Sequence, residues 1–267
     1  MLLGQAIILG IIQGITEFLP ISSSGHLIVI PSLFQWVDQG LAFDAIVHLG
    51  TLAAVVVYFW RDLKNICTSF FSSKVENYKK WRKLGYFLLI ATIPAAIFGL
   101  VFKESIGTLL RSTTVVASSL LVWAIVMLVA EEYSNRISKK QTDITSVTFF
   151  QAVAVGFWQV IALIPGTSRS GITMIGGMFA GLDKEAAVRF SFLLSTPIIA
   201  AAGLFSLLDT FASPGGVEVK MLVAGFVTAF LSGYLAIAFL LKVVNRFGFK
   251  PFAAYRIILA LLLLLFL

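Results

Sequence analysis

Six stretches of this chain stay apolar for roughly the 20 residues that a helix needs to cross a bilayer: 41–60, 84–101, 114–130, 186–208, 219–241 and 251–267. Inside lipid every backbone polar group must find its partner within the protein, and uninterrupted runs of this length do so as helices. Composition agrees. The apolar share is 59% and the charged share 12%, about half the charge of an average soluble domain, and the mean hydropathy is +0.97. A water-soluble domain is excluded. The net charge of +7, from 20 Lys+Arg against 13 Asp+Glu, reads as basic cytoplasmic loops and not as a nucleic-acid surface. Cys67 is the single cysteine, which rules out an internal disulfide and a multi-cysteine metal site. The only histidines, His26 and His48, are too few for a His-rich zinc site. The first basic residue is Arg61, so the N-terminus lacks the basic region of a cleaved signal peptide.

Two further apolar regions, 1–37 and 147–182, are interrupted by polar clusters, Phe18 to His26 (FLPISSSGH) and Ile164 to Gly171 (IPGTSRSG). Each interruption leaves a returning segment of roughly 12 residues, about 18 Å of helix, against an apolar core about 30 Å thick. Both regions are therefore expected to be re-entrant helix–loop–helix hairpins, with their breaks protein-buried or lining a wet cavity. The polar stretch Arg61 to Lys83 is expected to be a loop, with room for an interfacial helix.

The breaks match each other at a shift of 146 positions: Gly10 with Gly156, Gln13 with Gln159, Ser22 with Ser168, Ser24 with Ser170, Gly25 with Gly171. This pattern predicts a duplicated unit of one hairpin and three spans, 1–132 and 147–267. Three is an odd number, so the second hairpin enters from the opposite side. The expected fold is all-α: a single polytopic membrane domain with an inverted-topology repeat, six full transmembrane helices and two re-entrant hairpins whose breaks meet near the midplane.

Ionisable groups at membrane depth cost roughly 2.5–3.5 kcal/mol each and mark function by default. Glu17 ends the first entering segment and Arg169 lies in the second break, among the hydroxyls of Ser22, Ser23, Ser24, Thr167, Ser168 and Ser170. A structural Glu17–Arg169 pair locking the hairpins together is the plainer alternative. Serine favours N-caps, and two facing helix N-termini, started here by serines and by Gly25 and Gly171, form an anion site. Arg169 adds a planar fork for phosphate oxygens. His26, three residues after Ser23, is a candidate proton carrier. His48 is expected to pack or cap its helix, and Gln13 either orients Glu17 from one turn away or bonds another helix. Gly176 and Gly177 suit close helix packing. An acid, a histidine, hydroxyls, an arginine and oriented N–H groups are the parts of a phosphoryl-transfer site.

The segments QGITEFLPISSSGHLIV from Gln13 and PGTSRSGITM from Pro165 resemble the two signature regions of the bacterial undecaprenyl-diphosphate phosphatases, and HLGTLAAVVVYFWRDL from His48 and FSFLLSTPI from Phe190 extend that resemblance over essentially the whole chain. It implies hydrolysis of undecaprenyl diphosphate to the monophosphate, which recycles the lipid carrier of peptidoglycan synthesis and is associated with bacitracin resistance. It places the Glu/Gln-x-x-x-Glu motif on Gln13 and Glu17, the serine loop and histidine on Ser22, Ser23, Ser24 and His26, and the essential arginine on Arg169. It also implies dependence on a divalent cation, Mg2+ or Ca2+, for which Glu17 is the available carboxylate. The catalytic set is then Glu17, Ser23, His26 and Arg169, with either Ser23 or His26 as nucleophile. Gln13, Ser22, Ser24, Gly25, Thr167, Ser168, Ser170 and Gly171 bind substrate. The expected partners are a polyprenyl diphosphate, the bilayer and a second copy in a homodimer, without nucleic acid. A secondary transporter or lipid flippase on the same cavity is the rival reading, since inverted repeats with broken helices are also transporter architecture.

Sixteen of the 20 Lys+Arg fall in the stretches 61–83, 131–146, 183–189 and 242–256, which the expected topology puts on one side. Lys103, Arg111 and Lys220 fall on the other. Basic loops stay cytoplasmic, so both termini, and the first hairpin with Glu17 and His26, are expected to face outward from a bacterial plasma membrane.

Overall fold

A computed structural model describes residues 1–71, 76–102, 112–137, 143–212 and 218–266. Lys74, Lys103, Arg111, Lys139 and Lys140, all used in the charge tally above, lie outside the described residues. Every regular element among the described residues is helical. In chain order these are α1 (Leu3–Phe18), α2 (Ser23–Leu33), α3 (Gly40–Tyr58), α4 (Trp60–Phe71), α5 (Glu76–Val101), α6 (Thr113–Ile137), a 3-10 turn (Ile144–Ser146), α7 (Phe149–Ile161), α8 (Arg169–Phe179), α9 (Lys184–Ala212), α10 (Val219–Phe247) and α11 (Lys250–Phe266).

Four of these are long and apolar enough to cross a membrane: α5 over Tyr78–Val101, α6, α9 over Lys184–Gly203, and α10. They run past the apolar limits read from sequence because a helix continues into water once its end turns are polar, as at the Arg136–Glu132 pair of α6. Of the other two expected spans, α3 has 19 residues, and α11 has 17, about 25 Å of rise. The stretch after α3 takes the helix for which the expected loop left room. Ala42–Tyr58 and Trp60–Phe71 are bent by 82° at the break, and α4 turns Ile66 and Ser69 inward while Trp60 and Phe71 stay exposed. That amphipathic pattern at the end of a span suits a helix lying in the interface. The Arg189–Asp62 bridge, 3.0 Å, ties its start to α9.

The four hairpin helices have 16, 11, 13 and 11 residues, each too short for the apolar core. Helix α1 buries Ala6, Leu9, Gly10, Gln13, Gly14 and Glu17, a stripe of helical period, and leaves Ile8, Ile11 and Ile15 exposed. The stripe packs against α10, which answers with Gly225, Ala229 and Gly233. Small residues let the backbones touch: a Cβ on Gly14 would lie 2.5 Å from the Ala229 carbonyl oxygen. In the second hairpin α7 packs against α5, and a Cβ on Gly156 would lie 2.8 Å from the Ala91 backbone. Each entering helix thus leans on a span from the other half of the chain, and α8, buried from Ser170 to Met178, sits at the centre. The turn side of the molecule is held by Glu131 of α6, which accepts from Lys184 at 3.3 Å and from the Phe249 N–H at 2.9 Å.

Candidate active site

The sequence around each break ends one helix with a proline- or glycine-bearing turn and starts the next with a serine cap. Ser22 precedes α2 with φ 75° and ψ 96°, and its hydroxyl accepts from the Gly25 N–H at 3.3 Å. Ser168 precedes α8 with φ 74° and ψ 112°, and its hydroxyl accepts from the Gly171 N–H at 3.1 Å. A non-glycine residue in this left-handed region costs on the order of 1–3 kcal/mol, and both serines hold it. The first two N–H groups of each following helix, of Ser23 and Ser24 and of Arg169 and Ser170, have no intrahelical acceptor and lie at the positive end of the helix dipole.

The breaks bring Glu17 and Arg169 together. Arg169 Nη2 donates to Glu17 Oε1 at 2.5 Å, while Ser23 Oγ and Gln13 Nε2 donate to Oε2 at 2.7 and 3.1 Å. Gln13 therefore orients Glu17 from one helical turn away. Arg169 Nη1 is buried without a partner among the described residues, so half of the guanidinium fork is paired and half is left to receive an anion. Glu17, Ser23 and Arg169 form the polar floor of a cavity of about 420 Å³ lined also by Ser24, Asp44, His48 and Ser168, with apolar walls from Ala95, Leu163, Ile198, Ile199 and Ala202; Gln13, fully buried, lies behind that floor.

The other candidates are placed differently. Ser22, Thr167 and Ser170 are buried and, with Gly25 and Gly171, lie outside the cavity wall. Ser170 Oγ donates to the Leu19 carbonyl at 3.3 Å, which stitches the second break to the first. His26 is not gathered into the site. Its Nδ1 lies 2.6 Å from the Ser22 carbonyl oxygen, which can only accept, and its Nε2 lies 2.7 Å from the Tyr255 hydroxyl. Both ring nitrogens are engaged away from Ser23. Being four residues past Ser22, His26 follows the face of that buried cap.

Two residues given minor parts by sequence occupy major positions. His48 lines the cavity with Nε2 3.8 Å from Glu17 Oε2. Arg256, counted above among the basic loop residues, is instead fully buried. Its guanidinium donates to five carbonyls: Leu120 (3.2 Å) and Ser119 (3.3 Å) of α6, Pro20 (3.0 Å) of the first break, and Gly166 (3.1 Å) and Thr167 (3.0 Å) of the second. Backbone carbonyls at the ends of the entering helices carry partial negative charge, and a buried arginine needs several such acceptors. A lone arginine six residues after Lys250 looks like any other span-end base; the cluster of carbonyls that receives it exists only in three dimensions.

Comparison with known proteins covers nearly the whole chain. The family described as bacitracin resistance protein BacA matches residues 6–262. The undecaprenyl-diphosphatase of Chlorobaculum tepidum is 44% identical over 265 residues, 96% of this chain and 94% of the relative. Undecaprenyl-diphosphatase 1 of Pseudoalteromonas translucida is 42% identical over 98% of each chain, and the undecaprenyl-diphosphatase of Geotalea daltonii is 43% identical over 98% of this chain and 97% of its own.

Proposed function

The chain belongs to the BacA family of bacitracin resistance proteins, and from that premise we infer that it is an undecaprenyl-diphosphatase, removing the terminal phosphate of undecaprenyl diphosphate and so recycling the lipid carrier of cell-wall synthesis. The observation that carries the reading is the half-paired Arg169 fork beside a Ser23–Glu17 hydrogen bond at the floor of an apolar-walled cavity. A diphosphate headgroup meets cationic and N–H donors there while its prenyl tail stays among apolar side chains.

In the mechanism we propose, Arg169 Nη1 and the free N–H groups at the starts of α2 and α8 hold the phosphate oxygens and take up charge as it moves to the leaving group. Ser23 Oγ attacks the terminal phosphorus as Glu17 Oε2, 2.7 Å away, takes its proton. The bond to the bridging oxygen breaks, and undecaprenyl phosphate departs with the electron pair. The engagement of both His26 nitrogens favours Ser23 over His26 as nucleophile. Among the described residues no cluster of three His, Cys, Asp or Glu side chains could hold a metal. The donor set fits a divalent cation only as a companion of the diphosphate, with Glu17 and Asp44 lining the same cavity and phosphate oxygens completing its shell. A bound Mg2+ or Ca2+ would supply charge neutralisation to the phosphates.

The duplicated, inverted architecture with units 1–132 and 147–267 is part of this proposal, supported by the matching caps and by the exchange of packing partners between the halves. So is the outward orientation. Lys184 bridges Glu131 and Arg189 bridges Asp62, which supports one common side for the start of α4, the start of α9 and the later part of α6, beside which the basic stretches fall. The cavity is lined by the early part of α3, the late part of α5 and the middle of α9, away from those bridges. Without Arg256 the basic side still outnumbers the other fivefold. Cys67 is exposed on α4, so a membrane-impermeant maleimide should label it in inverted vesicles and spare it in intact cells; the reverse pattern overturns the orientation. The homodimer is carried in the same proposal and is read from the mass of the detergent-solubilised protein.

Purified protein should release inorganic phosphate from undecaprenyl diphosphate and leave ATP nearly untouched. No release across several divalent cations from folded protein would move the assignment to lipid or anion transport.

A further inference from the structure

In the mechanism above Glu17 carries the proton of Ser23 once the first transfer is complete, and it must return that proton to Ser23 Oγ when the Ser–phosphate bond breaks. One carboxylate cannot at the same moment deprotonate the attacking water. Glu17 is also fully committed by position, with Arg169 on one oxygen and Ser23 and Gln13 on the other. A second base is required on the cavity wall.

His48 stands where that base is needed. It lies on α3, across the cavity from the two breaks, and Nε2 is 3.8 Å from Glu17 Oε2: too far for a hydrogen bond between them, and close enough to serve the same small volume. Its Nδ1 lies 2.6 Å from the Asp44 carbonyl oxygen. A carbonyl only accepts, so Nδ1 carries the hydrogen, and in the neutral ring Nε2 is left with its lone pair facing the cavity. The side chain is 35% exposed, in contrast to 6% for Glu17, so a proton taken there has a way out to solvent. The charged groups that face it are Glu17 of α1 and Arg169 of α8, with Asp44 one turn back on its own helix; α9 presents Ile198, Ile199 and Ala202.

We propose that His48, through Nε2, is the base that deprotonates the water hydrolysing a Ser23 phosphoester. In that step the water oxygen bonds to phosphorus and its proton goes to His48 Nε2. The bond from phosphorus to Ser23 Oγ breaks, Oγ recovers its proton from Glu17, and inorganic phosphate is released. His48 then gives its proton to solvent. The assignment rests on the phosphatase reading and separates the two half-reactions: Glu17 serves the first, His48 the second.

The test is a rapid-quench time course on detergent-solubilised wild type, His48→Gln and His48→Ala with undecaprenyl diphosphate, measuring undecaprenyl phosphate and inorganic phosphate separately. In both variants we expect one equivalent of undecaprenyl phosphate per enzyme in a burst. Phosphate should follow at a rate lowered at least about 10²-fold, with a phosphoryl group recovered on the Ser23 peptide. Added imidazole should restore phosphate release to His48→Ala, which also demonstrates that the variant is folded. Equal release of the two products from the first turnover, or loss of both without a trapped phosphoryl group, overturns the role. Failure of the wild type to release phosphate at all overturns the phosphatase reading and this role with it.

Discussion

At the first break the chain runs from Phe18 through Ser22 into α2; at the second it runs from Ile164 through Ser168 into α8. The caps agree in dihedral angles to within 1° in φ and 16° in ψ, each serine hydroxyl holds the N–H of the glycine three residues on, and each lies near the hydroxyl two residues on, at 3.4 and 3.2 Å. The residue between is what differs. Ser23 reaches Glu17 from its own hairpin, whereas Arg169, at the matching place, crosses to the same carboxylate from the other hairpin. Glu17 itself has Leu163 at the matching position. Two copies of one backbone device therefore supply N–H groups for an anion, and chemistry was added by making the copies unequal: nucleophile and acid on one side, permanent cation on the other.

The largest expected effect breaks that inequality at the nucleophile. Ser23→Ala should lower turnover about 10³-fold or more, while Ser170→Ala, which removes a bond to the Leu19 carbonyl and a contact with the Ser168 hydroxyl, should cost about 1 kcal/mol, roughly fivefold. Comparable losses in a phosphate-release assay would mean that the serines act alike and that Ser23 is not the nucleophile. Next comes Arg169→Lys, which keeps the charge but loses the fork that spans Glu17 and a phosphate oxygen; turnover should fall about 10²-fold. Near-normal turnover with Lys would reduce Arg169 to a point charge. The smallest effect tests the equality. Glycine suits a φ near 75° and loses only a few tenths of a kcal/mol as a cap, so Ser22→Gly and Ser168→Gly should each shift stability by less than about 1 kcal/mol, and by the same amount. Unequal shifts in a thermal unfolding series would show that the matched caps carry different loads.

Much of this was legible in the sequence because the matched residues repeat the same kind of job in each half. Gly10 and Gly156 permit close backbone approach, Gln13 and Gln159 each donate from one amide, to Glu17 and to the Ala91 carbonyl, and Ser22 and Ser168 cap the residues that follow them. Spacing reports such roles directly. The side chains that the structure places elsewhere, His26 and Arg256, have partners remote in sequence. His26 sits three residues from Ser23, which suggested partnership, but its Nε2 partner Tyr255 is 229 residues away. His48 belongs to a helix whose position across the cavity no spacing encodes. The apolar stretches located the spans, and in the polar stretch Arg61–Lys83 the sequence left room for an interfacial helix without fixing its extent, because amphipathic helix and charged loop have similar composition; helix lies on both sides of residues 72–75.

Arg256 also sets an order of events. The carbonyls it gathers belong to residues made far earlier, 236 positions before it at Pro20 and 89 before it at Thr167. During synthesis both hairpins, with Glu17, Ser23 and Arg169, leave the ribosome while the guanidinium that joins their turns does not yet exist. Until α11 is inserted, the two breaks have the contacts they make with each other, Arg169 to Glu17 and Ser170 to the Leu19 carbonyl, without the clamp. Helix α11, made after every reacting group, thus closes the assembly, and a chain halted before it would hold those groups and still lack the arginine that clamps the carbonyls of their two loops.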